Sequence, residues 1–148
     1  MTSGRAPVSI WMSLALLIST YGSFAEELCD RLERIERIPM KGDGTDAVYL
    51  EMLEAGDSLV PCLIDRLTDE SPMRDPRSAP SWNAYAVGDT AQIMLVLITG
   101  REFAATLPRA VQADWVDNGV YAYFDYVSEP VNRRRLQEKW RAWQADQR

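Results

Sequence analysis

The stretch Ala47–Asp69, AVYLEMLEAGDSLVPCLIDRLTD, decides the fold of this chain. Apolar residues recur at helical spacing on both sides of its Gly-Asp pair, so the pattern predicts two helices, at about 45–55 and 58–67. Gly56 is suited to end the first helix with a left-handed backbone, and Asp57 is placed to cap the second. A proline falls in the first turn of the second helix, where a missing N–H is tolerated.

The chain on both sides of this pair also has helical patterns. Residues 26–38 predict a helix that ends at Pro39. Its apolar face consists of Leu28, Leu32, Ile35 and Ile38. Within residues 85–100 the run from Ile93 to Ile98 is apolar without a break, which predicts a central buried helix, with a buried strand as the alternative. Asp89 and Gln92 resemble a capping box, so this helix is expected to begin near Thr90 rather than Asn83. Gly100 fits its C-terminal end.

The aromatic last third of the chain predicts more helices. A short helix is expected at 109–115, then a turn at Asn118-Gly119, and residues 121–127 fit a helix or a strand. A final helix is expected from Pro130, with a buried edge of Val131, Leu136, Trp140 and Trp143, where a ligand cage is the alternative for the two tryptophans. The run 133–135 of three arginines predicts a solvated basic face. The sequence therefore predicts an all-α fold, an array of antiparallel helix pairs or a bundle, with about 5–7 helices.

The first 25 residues have the layout of a secretory signal peptide. Arg5 precedes an apolar run of about eleven residues from Val8 to Ile18, too short for the roughly 20 residues of a membrane-spanning helix. Ser23 and Ala25 are small residues at the −3 and −1 positions of a cleavage site. We expect cleavage after Ala25, a single helical domain at 26–148, no stable membrane insertion after cleavage, and a periplasmic or secreted location. An uncleaved amphipathic or anchor helix is the alternative.

The charge and the composition narrow the function classes. The chain of 148 residues has a formal charge of −6, and loss of Arg5 with the signal segment makes it −7. An acidic protein repels phosphate backbones, so nucleic acid is not expected as a partner. A basic protein partner suits this charge, and solubility alone is the other interpretation. No signal indicates a particular oligomeric state.

The chain has two cysteines and no histidine. In an oxidising compartment Cys29 and Cys62 are expected to form a disulfide, with two buried free thiols as the alternative. The absence of histidine excludes a Ser-His-Asp triad and argues against a Cys/His zinc site. The segment Asp43–Glu51 lacks the spacing of a calcium loop. We therefore expect no cofactor and no metal.

The segment 68–81 is predicted to be a long loop, because it has three prolines, five charges and no periodicity. Loops of this length are uncommon in small domains and are often functional, although a passive crossover is the alternative. The predicted partner-binding residues are Asp69, Glu70, Arg74, Asp75, Arg77 and Trp82.

The helix pair at 45–67 resembles a HEAT-type repeat. The resemblance rests on the tight turn and on the pattern P-x-L-I-x-x-L-x-D from Pro61 to Asp69, and it covers about 25 residues. It implies stacked helix pairs that bind other proteins. In size, export and acidity the chain is also similar to small periplasmic immunity proteins, which block cell-wall-degrading toxins.

These observations predict an exported protein-binding module, an inhibitor or immunity protein against a secreted toxin or cell-wall hydrolase, and not an enzyme. One alternative is a structural or assembly factor of the cell envelope. The other is a small carbohydrate-active hydrolase, which needs two carboxylates about 5–10 Å apart across a cleft. The candidate carboxylates for that reaction are Asp89, Asp114, Asp117 and Asp125.

Overall fold

The computed structural model describes residues 24–38, 46–77 and 82–147. Most of the predicted signal peptide, Pro39, and residues 78–81 of the predicted loop lie outside these ranges. Residues 24–29 are helical, and a 3-10 turn follows at Leu32–Arg34. The α-helices are α1 (Ala47–Ala55), α2 (Val60–Arg66), α3 (Val87–Thr99), α4 (Arg109–Asn118), α5 (Val120–Val127) and α6 (Pro130–Asp146). The all-α prediction is confirmed.

Two details of the described ranges complete the architecture. An isolated antiparallel bridge joins Pro72 and Ala86, and further 3-10 turns lie at Gly56–Leu59 and Ala104–Thr106. None of the helices in these ranges has both the length and the apolar character needed to cross a membrane.

The first predicted helix pair is present as α1 and α2. Asp46 caps α1, because its Oδ1 accepts a hydrogen bond from the Tyr49 backbone N–H at 2.9 Å. Gly56 ends α1 with a φ angle of 56°. The expectation that Asp57 caps α2 with its side chain was wrong. Asp57 lies within the 3-10 turn, and its backbone carbonyl accepts the N–H of Val60 instead.

The predicted helix at 26–38 is shorter than expected. The helical segment ends at residue 29, and after the 3-10 turn residues 35–38 are irregular. The amides of Glu36 and Arg37 donate to Asp46 Oδ2 at 2.9 and 3.2 Å, and the amide of Ile38 donates to the Pro76 carbonyl at 2.9 Å. These long-range acceptors replace helical ones. A proline after Ile38 also disfavours helical backbone there.

Helix α3 is the centre of the core. Ala91, Met94 and Leu95 are fully buried, and α2 packs against this helix. The strand alternative was wrong, and the helix begins at Val87 rather than near residue 83 or 90. It ends, as expected, at Gly100 in the left-handed conformation, with φ 65°.

The last three helices follow the predicted order. Helix α4 extends to Asn118, Gly119 adopts a φ angle of 56° between α4 and α5, and the ambiguous segment 121–127 is helical. The predicted buried edge of α6 was wrong at one position, because Val131 is 42% exposed while Arg133 is buried. Leu136 and Trp140 are buried as predicted, and Trp143 is partly buried.

The two cysteine sulfurs lie at disulfide distance, with the Cα atoms of Cys29 and Cys62 6.3 Å apart. The pair connects the helical segment 24–29 with α2 and closes a separation of 33 residues. Both residues are buried in the core.

Candidate protein-interaction site

The first part of the predicted loop forms backbone hydrogen bonds with residues 85–88, at the start of α3. Gly88 N–H donates to the Asp69 carbonyl at 2.9 Å, Val87 N–H to the Ser71 carbonyl at 3.0 Å, and Met73 N–H to the Tyr85 carbonyl at 3.0 Å. A Cβ atom on Gly88 would lie 2.6 Å from the carbonyl oxygen of Leu67. Glycine therefore permits this close approach, and residues 69–73 are fixed in place.

The next part of the loop is held by an inward-facing ion pair. Arg77 Nη2 lies 2.6 Å from Asp75 Oδ2, and the same carboxylate oxygen accepts the Trp82 backbone N–H at 2.8 Å. Burial alone raises the pKa of Asp75, but the hydrogen bonds from Arg77 and Trp82 outweigh it, so this pKa lies below its ordinary value. The Arg77 guanidinium lies 4.5 Å from the ring centroid of Phe124.

Phe124 also supports an aromatic pair at the surface. The Trp82 ring stacks on Phe124, with centroids 4.9 Å apart and an interplanar angle of 13°. Trp82 lies 6.0 Å from the ring centroid of Tyr121, which is 43% exposed. These two rings, with Asn83 and Ala84, line an open pocket of about 320 Å³. We name this the aromatic pocket.

The structure separates the six predicted partner-binding residues into two groups. Asp75 and Arg77 contact the protein interior, and Asp69 accepts from Ser71 N–H at 2.9 Å. Glu70 and Arg74 are exposed, and Trp82 is partly exposed at the aromatic pocket. Sequence reasoning did not select Tyr121. Its only signal was the alternation of aromatic residues along 121–126, which places neighbouring positions on different faces of a helix.

A buried polar cluster lies beneath this surface. Asp89 is fully buried, and its carboxylate accepts from the Ala86 amide at 2.9 Å and from the Tyr123 hydroxyl at 2.7 Å. Arg133 Nη1 lies 3.0 Å from Asp89 Oδ1. Burial and the adjacent Asp89 carboxylate raise the pKa of Tyr123 well above its ordinary value. The cluster joins α3, α5 and α6.

The prediction of a solvated face for all three arginines at 133–135 was wrong at Arg133, because this side chain pairs with Asp89. Arg134 and Arg135 are exposed as expected. Asp89 faces no cleft, because it has no exposed surface. The other candidate carboxylates, Asp114, Asp117 and Asp125, are exposed on α4 and α5.

A second buried polar group joins α3 to α6. Trp140 Nε1 donates to Gln92 Oε1 at 2.8 Å, and Gln92 Nε2 donates to Thr106 Oγ1 at 2.8 Å. Gln137 Nε2 donates to the Ile64 carbonyl at 2.9 Å, which adds a bond to α2. Trp140 is thus a core residue whose N–H is satisfied internally, and the ligand-cage alternative does not describe it.

Within the described ranges, no three acidic or cysteine side chains converge as a metal site requires. Comparisons with protein-family models, curated proteins and solved structures found no match.

Proposed function

We propose that this chain is an exported protein-binding module that acts in the periplasm as an inhibitor or immunity protein against a secreted toxin or cell-wall hydrolase. The observation that carries the proposal is the aromatic pocket. Trp and Tyr side chains are enriched among the residues that dominate binding energy, and a pocket beside them can receive an anchor side chain of the partner.

Rigidity supports a binding role for this pocket. Trp82 is held by its stacking on Phe124 and by its backbone hydrogen bond to Asp75. A surface that is ordered before binding loses less conformational entropy in the complex. We assign Trp82 and Tyr121 to the centre of the contact, and Glu70 and Arg74 to its charged periphery.

Asp69, Asp75 and Arg77 have a different role in this proposal. Their side chains hold the loop in position through internal hydrogen bonds. They therefore act as positioning residues for the contact surface.

Export is supported by the signal-peptide layout and by the cysteine pair at disulfide distance. Binding of other proteins is also what the HEAT-type resemblance of the helix pair implies. A direct capture experiment tests the proposal and identifies the partner.

The test is a pull-down with tagged residues 26–148 from periplasmic and extracellular extracts, read by mass spectrometry. We expect one stoichiometric partner. Its affinity for the Tyr121→Ala variant should fall by about 2 kcal/mol, or roughly 30-fold, as for a binding hot spot. Leu50→Ala is the matched control, because Leu50 on α1 is 47% exposed.

Two results would contradict the proposal. One is the absence of any stoichiometric partner. The other is a captured partner that binds Tyr121→Ala and the Leu50→Ala control equally well. Glu70→Gln and Arg74→Gln test the periphery separately, and both should mainly slow association.

A further inference from the structure

Helix α4 presents an apolar side chain to solvent on a helix that contributes no buried residue. Val116 is 83% exposed, the largest exposed fraction among the large hydrophobic side chains of the described ranges. Two other residues of this helix are also exposed, namely Ala113, three positions before Val116, and Asp117, one position after it. The helix is attached through its other side, where the Trp115 ring stacks on Phe103 with centroids 5.0 Å apart.

The charge of this region is mainly acidic. Residues 110–129 contain four acidic residues and no lysine or arginine, and Arg109, the first residue of α4, is an exposed cation directly before them. All four are exposed, and none forms an ion pair within the described part of the chain. The four residues are Asp114, Asp117, Asp125 and Glu129. Val116 therefore lies on a helix that has two exposed acidic residues and no lysine or arginine after Arg109.

The acidic region is continuous with the aromatic pocket through α5. Tyr121 lines the pocket, and Asp125 lies four residues further along the same helix, which makes the two side chains surface neighbours. Helices α4 and α5 also pack against each other. We name the exposed surface of residues 110–129 the acidic hairpin.

We propose that the acidic hairpin docks a basic protein surface that contains an apolar centre, with Val116 and Tyr121 as the apolar contacts. This inference rests on the proposed function and specifies the chemistry of the partner. Charge complementarity selects lysine- and arginine-rich surfaces and accelerates encounter. Phosphate-rich partners are disfavoured because the hairpin repels them.

A second copy of this chain fits the hairpin poorly. A two-fold contact would place the same acidic surface against itself, and like charges in contact oppose association. Light scattering tests the other possible self-contact, in which the hairpin of one copy binds Arg134 and Arg135 of another copy. Such a head-to-tail contact would cause concentration-dependent assembly.

The experiment is an NMR titration of ¹⁵N-labelled residues 26–148 with three designed helical peptides. The first peptide has lysine on one face of its helix and leucine on the other. In the second peptide glutamate replaces lysine, and in the third peptide serine replaces leucine. We expect only the lysine–leucine peptide to bind saturably, with chemical-shift changes centred on residues 110–129. Neutralising all four hairpin acids should weaken this binding about tenfold, as the sum of several exposed charge contacts.

Matched variants separate local from net charge. The hairpin variant is Asp114→Asn, Asp117→Asn, Asp125→Asn and Glu129→Gln. The control removes four exposed acids elsewhere and comprises Glu33→Gln, Glu36→Gln, Glu54→Gln and Glu138→Gln. Val116→Ser, at a site too exposed to affect folding, should also weaken peptide binding severalfold. Equal loss of binding in hairpin and control variants would overturn the inference.

The result also distinguishes this inference from the proposed function. If extracts yield no partner but the peptide binds the hairpin as described, the proposed function fails and the docking surface is supported. If a partner is captured through the aromatic pocket and the hairpin variants bind both it and the peptide normally, only the hairpin inference fails. Assembly of the free chain that depends on Arg134 and Arg135 would likewise overturn it.

Discussion

Replacing Asp89 by asparagine should destabilise this protein strongly. Its carboxylate is fully buried and compensates the Arg133 guanidinium, with Nη1 and Oδ1 3.0 Å apart. An asparagine Oδ1 can still accept from the Tyr123 hydroxyl, but it leaves a buried positive charge without a counterion. Removing one member of a buried ion pair costs about 3–5 kcal/mol, a large share of the roughly 5–15 kcal/mol that stabilises a typical domain.

The assay is urea unfolding of residues 26–148, followed by circular dichroism at neutral pH. With a denaturant slope of about 1.5 kcal/mol per molar urea, a loss of about 4 kcal/mol lowers the midpoint by about 2.7 M. If the stability of the protein is at the lower end of the usual range, the Asp89→Asn variant will be unfolded without denaturant.

A double-mutant cycle with Arg133→Met decides whether the loss comes from the ion pair. The Asp89→Asn/Arg133→Met variant should be more stable than Asp89→Asn, because it no longer buries an unpaired guanidinium. If the two single losses simply add, or if Asp89→Asn costs less than about 1 kcal/mol, the reasoning about this buried pair is refuted.

Four further changes test other contacts. Gly88→Ala should cost at least about 1–3 kcal/mol in urea unfolding, because the new Cβ would lie 2.6 Å from a backbone carbonyl oxygen; full stability would contradict the close approach. Asp46→Ala should cost about 1–2 kcal/mol in the same assay by removing a helix cap, and an unchanged midpoint would count against the cap. Joint replacement of Cys29 and Cys62 by alanine should cost about 3–4 kcal/mol in the chain-entropy model, with the reduced wild type as comparison. The pKa of Asp75 in the folded protein is lowered, so its ionised carboxylate stabilises the fold above the unfolded pKa of about 3.9, and this stabilisation is lost as pH falls through the folded pKa. The difference in unfolding free energy between wild type and Asp75→Asn should therefore narrow between pH 6 and pH 3. A constant difference would contradict this linkage.

The helices were predictable where local periodicity and packing agree. In α3 the apolar residues Ala91, Met94 and Leu95 recur at helical spacing and form the buried centre, and the end of the helix at Gly100 follows from local backbone preference. The segment after Cys29 has equally regular apolar spacing but does not remain helical. There the amides of Glu36 and Arg37 bind Asp46, and an acceptor about ten residues away is invisible to a local pattern.

The candidate site was harder to predict because its contacts are distant in sequence. Trp82 was selected, but its neighbour Tyr121 lies 39 positions later, and only the fold brings their rings to 6.0 Å. The same reason explains Arg133, whose burial depends on Asp89 in another helix. From the sequence alone a run of arginines is predicted to be solvated, because the counterion that would allow one of them to be buried is distant in the chain.

The buried cluster has a consequence for the surface that binding must use. Tyr123 is bonded to Asp89 inside the protein, and Tyr121, two residues earlier on the same helix, is exposed. Positions two apart on a helix point in nearly opposite directions, at roughly 200°. The Tyr123–Asp89 bond therefore fixes the rotation of α5 about its axis, and with it the position of Tyr121 beside Trp82. The buried polar cluster thus orders the aromatic pocket before a partner binds. A small aromatic pair contributes most to affinity when it is already ordered, because less conformational entropy is lost on binding.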